Sequence, residues 1–144
     1  MGAAYRIAGH RTVPHTADLR IEAWAGTREE CLAEAVRGLV GSFAVVAGRQ
    51  PCRRDSCVMT AGSDADLLVA VVDEVICRLD AEGEIPVSVA VRPAPDGGVA
   101  VSFALVPVAA AEITGAAPKA ASLHELRCAA DAAGRWSCSV MVYV

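Results

Sequence analysis

Residues 13–26, "VPHTADLRIEAWAG", set three side chains capable of chemistry close together: His15, Thr16 and Asp18. A carboxylate can hold a cation or take a proton, an imidazole can relay one, and a hydroxyl can attack when a base activates it. The pattern H-x-x-D recurs by chance, and no nucleophile elbow, phosphate-binding loop or zinc-protease helix accompanies it. On spacing alone Asp18 reads as a turn residue, its carboxylate accepting from nearby backbone N–H groups. His15 and Thr16 read as structural.

Other candidates are weaker still. Asp73, Glu74, Asp80, Glu82 and Glu84 form an acidic run that a solvated helix face and loop explain. Lys119, between Pro118 and small residues, reads as an edge-strand lysine. His124 and Glu125 are consecutive in an expected strand and so should point to opposite faces. Gly97 and Gly98 are turn residues rather than a phosphate cradle. The six cysteines include no C-x-x-C pair, and they read as free, buried or half-buried thiols.

The elements that must position these groups follow from periodicity. In residues 19–25, Leu19, Ile21 and Ala23 alternate with Arg20, Glu22 and Trp24, the signature of a half-buried strand. Thr27 and Glu30 then read as a capping box. Leu32, Ala35, Val36, Leu39, Val40 and Phe43 recur at helical spacing, and the pattern runs out near Gly48. Residues 53–61 predict a short strand. Ser63 caps a second helix whose apolar face is Leu68, Val71, Val72, Val75, Ile76 and Leu79, with Gly83 as its stop. Two hairpins complete the chain, one turning at "APDGG" and one at "DAAGR". The order predicts a single α+β domain over residues 1–144: two layers, a largely antiparallel sheet with two amphipathic helices on one face.

Composition narrows the function classes. With 144 residues the chain can bury a core without staples, and that core is rich in small residues, since 54% of the chain is apolar and only 4% aromatic. A formal net charge of -4 argues against direct nucleic-acid binding through phosphate neutralisation. The apolar run "LLVAVV" is far shorter than the ~20 residues of a membrane span, and "MGAAYRIAGHR" has no signal-peptide core. A cytoplasmic, soluble protein is expected.

Several segments together resemble the archease family: "HTADLRIEAWA", a helix opening with "TREECLAEA", "DLLVAVVDEVICRLDAEG", "KAASLHEL", and a last strand running to the end of the chain. The resemblance covers nearly the whole chain in order. It implies an archease-like fold and a non-enzymatic role. The protein would promote guanylylation by GTP and multiple turnover of an RtcB-type RNA-splicing ligase in tRNA splicing or RNA repair. It also implies a divalent cation, calcium, at Asp18 and at the last two residues, Tyr143 and Val144, with a functional lysine at Lys119. One position departs from the family, which usually has Asp where this chain has Tyr143. A neutral phenol, with a reference pKa near ~10, is a poor ligand for a hard cation, so weaker metal binding, or none, is expected. Leu123 replaces the aromatic residue usual in that segment. Two further functions are compatible with the sequence: a chaperone-like modulator of other RNA-modifying enzymes such as methyltransferases, and a small metal-dependent hydrolase built on His15 and Asp18.

Overall fold

The computed structural model describes residues 7–14 and 18–144; His15 and Thr16 lie outside the described residues. The expected class holds: two helices and antiparallel strands. The elements are β1 (Gly9–Pro14), β2 (Asp18–Ala25), α1 (Arg28–Gly41), β3 (Ala44–Val45), β4 (Arg53–Met59), α2 (Asp64–Cys77), β5 (Glu84–Pro93), β6 (Val99–Pro107), β7 (Glu112–Ile113), β8 (Ala120–Ala130) and β9 (Trp136–Tyr143). A wide helical turn, Arg78–Glu82, extends α2.

Local chemistry explains the boundaries. The hydroxyl of Thr27 accepts from the Glu30 N–H, and that of Ser63 from the Asp66 N–H, each at 3.1 Å. The expected return bond of the capping box is absent from this geometry because Arg37 takes the Glu30 carboxylate at 2.7 Å. α1 stops at Gly41, well before Gly48. Phe43 leaves the helix with its side chain in the core, and its carbonyl accepts from the Thr114 N–H. Gly83 ends the second helical segment at φ 64°, a left-handed turn that glycine makes without strain.

The strands do not form one sheet. β1-β2-β9-β8 make a four-stranded sheet, β4-β6-β5 a three-stranded one, and β3-β7 a short ladder. Where the sequence predicts two layers, the helices touch both larger sheets. α1 packs on β1, β2 and β9 from one side and on β5 from the other; α2 packs on β8 and β9 and reaches β4. α1 is accordingly buried around most of its circumference, with Cys31, Leu32, Ala33, Ala35, Val36, Leu39 and Val40 all in the core. The inner faces of the sheets supply Ile21, Ala23, Val140 and Val142 on one side and Val89, Val101, Phe103 and Leu105 on the other. This burial supplies the main driving force for folding.

β1 is absent from the sequence-based expectation. It is an outer strand with little apolar signal, and Gly9 lets the Trp24 ring lie against its backbone: a Cβ there would sit 2.7 Å from the ring. The cysteines are all free thiols, with Cys31, Cys128 and Cys138 buried and Cys52 and Cys77 exposed. Burial pushes the Cys128 thiol up to about 12.

Candidate functional site

The first residue of β2 and the last of β9 are direct partners across the ladder, Asp18 opposite Tyr143. Directly paired residues project to the same face of a sheet, their Cβ atoms ~5 Å apart. Alternation from the buried Ile21 and Ala23 places Asp18, Glu22 and Trp24 on the face turned away from the helices, with Tyr143 beside them. On the other side of β9, Ala120 pairs with Tyr143, and the Lys119 N–H donates to the Tyr143 carbonyl at 2.8 Å. The sheet therefore gathers Asp18, Tyr143 and Lys119 at one end, from three chain segments. Val144 follows directly on β9 and is half-buried.

Ser122 completes this end and was not singled out by its residue type. Tyr143 donates its phenol hydrogen to the Ser122 hydroxyl at 3.2 Å, and the His124 N–H donates to the same oxygen at 3.1 Å. The serine turn it closes is a local pattern that many serines share, so the sequence carries no signal that sets Ser122 apart.

β8 leaves its register between Ser122 and Arg127. Ser122 pairs with Met141 and Arg127 with Ser139, so four residues of β8, 123–126, stand opposite a single residue of β9, Val140. This corrects the expectation for His124 and Glu125. They do not alternate across a regular strand: Glu125 has φ 56°, both side chains are exposed, and they approach to 4.0 Å. Of the acidic run, Glu74 is held by Arg78 at 2.8 Å and Glu84 by Arg53 at 2.6 Å. Their role is ionic cross-linking.

The family resemblance implies a divalent cation, and the residues gathered here do not fit one. Asp18 supplies a carboxylate, but the phenol of Tyr143 is spent on Ser122 and offers a neutral oxygen. Among the described residues, no group of three or more His, Cys, Asp or Glu side chains could hold a metal ion. An open apolar groove between α1 and β5, lined by Val36, Val40, Val45 and Val87, lies on other elements. No helix among the described residues is long and apolar enough to cross a membrane.

Comparison with known proteins agrees with this architecture. A solution structure of Methanobacterium thermoautotrophicum protein 1598 superposes with a TM-score of 0.75 at 16% identity, covering 94% of this chain and 99% of that one; this likeness is one of fold. The proteins named "Probable protein archease" from Mycobacterium tuberculosis strains CDC 1551 and H37Rv are each 48% identical over 137 residues, 95% of this chain and 75% of theirs. Residues 10–144 match the model of the Archease protein family (MTH1598/TM1083), and the chain belongs to that family.

Proposed function

We propose that this protein is the cofactor of an RtcB-type RNA-splicing ligase, promoting guanylylation and repeated turnover in tRNA splicing or RNA repair. Membership of the archease family supports a protein-cofactor role in RNA processing. The observation that carries the finer reading is the register of β2, β9 and β8. It brings Asp18, Tyr143 and Lys119, the positions singled out by family resemblance, to one end of one sheet. Among the described residues, that end presents a carboxylate, a phenol and an ammonium, and its phenol donates to a serine hydroxyl rather than to an imidazole or carboxylate. Such a surface suits contact with another protein's catalytic centre better than chemistry of its own. Cation binding is weaker than in the family, or absent, because Tyr143 stands where the family usually has a carboxylate.

The test is multiple-turnover ligation by the cognate ligase with equimolar protein. Stimulation is expected, with Asp18→Ala and Lys119→Ala each losing about tenfold or more of it, the scale of a lost charged contact. No stimulation by the unaltered protein would overturn the reading. Calorimetric titration with calcium and manganese is expected to show no tight site; tight binding abolished by Asp18→Ala would contradict the expected metal weakness.

A further inference from the structure

The hydroxyl of Ser122 is where the Asp18–Tyr143 end meets the irregular part of β8. Ser122 is 6% exposed, so its oxygen depends on protein partners. Those partners are the His124 N–H and the Tyr143 phenol. The first bond closes a serine turn where β8 leaves its register. Just beyond, Glu125 adopts a left-handed conformation, φ 56°, which persists in a non-glycine residue only where neighbours over-determine it. The result is a protrusion, residues 123–126, that carries Leu123 at 73% exposure into solvent while Leu126 packs back against the core.

We propose that Tyr143 is a positioning residue: acting through Ser122, it holds the 123–126 protrusion in shape for the partner protein, with no divalent cation required at this end of the sheet. The argument is one of donors and acceptors. An ionised Asp at 143 would be an acceptor only, set directly opposite the Asp18 carboxylate. Two carboxylates set directly opposite each other on a ladder repel. A phenol at 143 removes that repulsion and supplies a hydrogen, which reaches across from β9 to β8. The inference rests on the proposed function only for the identity of the partner.

Hydrogen exchange of residues 122–126 tests it without the ligase. In the unaltered protein, protection of this segment is expected to be the same in EDTA and in excess calcium. Tyr143→Phe and Ser122→Ala should each speed exchange of the His124 amide by about tenfold, the loss of one ordinary hydrogen bond. The double variant should add nothing further. Slower exchange on adding calcium, or no change in Tyr143→Phe, would overturn the proposal. In the ligation assay, Tyr143→Phe should raise the concentration needed for half-maximal stimulation. An unchanged half-maximal concentration would likewise sink it. If the unaltered protein does not stimulate the ligase at all, the functional reading fails while the exchange data still decide the tether.

Discussion

Strands β5 and β8 each break register once against their neighbour, and the two breaks do opposite things. In β5 the shift falls between Pro86 and Ser88, so a single residue, Val87, is passed over. Pro86 is buried and brings no N–H to the ladder, and Val87 packs against the core. In β8 the shift spans Ser122 to Arg127; Leu123, His124 and Glu125 turn outward, and Leu126 returns to the core. The first irregularity fits an edge strand onto the core; the second displays side chains. The difference teaches that a bulge is read by what it does with its extra residues: inward apolar ones are packing, and outward ones held by a buried hydroxyl are presentation.

The contrast can be broken by substitution, and the largest effect belongs to the packed hairpin. Phe103 on β6 is fully buried, with the Arg78 guanidinium 5.0 Å from its ring centre. Phe103→Ala should cost about 3–5 kcal/mol in urea unfolding. The turns come next. A Cβ on Gly98 would lie 2.3 Å from the Met59 carbonyl oxygen, whereas Gly134 has open space but sits at φ +81°. Gly98→Ala should cost about 1–3 kcal/mol through overpacking, and Gly134→Ala about 1 kcal/mol through backbone strain alone. Equal costs at the two turns would erase that distinction.

Acid should weaken the molecule gradually. Hydrogen bonding from Arg78 holds the Asp55 carboxyl below its ordinary 3.8, and hydrogen bonding from Arg53 holds Glu84 below 4.5. In the second hairpin, the backbone N–H of Arg135 does the same for Asp131. These folded values lie below the unfolded ones. The contribution is therefore complete above the ordinary carboxylate range and lost as pH falls through the lowered values. Arg78→Met should flatten the fall in stability between about pH 5 and pH 3; an unchanged slope would remove Asp55 from this account. The smallest expected change is at Leu123. Leu123→Ala should alter stability by less than about 0.5 kcal/mol yet lower ligase stimulation, and a large loss of stability would make the protrusion a packing element after all.

What was legible in the sequence follows from signal strength. Both helices, their Thr27 and Ser63 caps, the Gly83 stop and both hairpins rest on periodicity or turn chemistry confined to neighbouring residues. β1 was hidden because an outer strand reading GHRTVP has no alternating apolar face. The separation of the strands into distinct sheets was hidden because it depends on which faces α1 covers, a tertiary matter. At the site, Asp18 and Lys119 could be singled out by resemblance, while Ser122 could not: one serine among small residues gains its role from Tyr143, which reaches it across the ladder. The opposite-face placement expected of His124 and Glu125 failed because alternation assumes an unbroken register.

The position of β9 bears on the order of assembly. It lies between β2 and β8, so it joins the earliest long strand of the chain to the latest part, and Asp18 meets a partner more than a hundred residues away. Until that strand docks, β1 and β2 can form only a two-stranded ribbon, and β8 lacks its ladder. Contacts of such long separation slow folding. The Asp18–Tyr143 end should therefore be absent from every partly folded form lacking β9, so that a ligase that reads this end would be recognising completion of the fold itself.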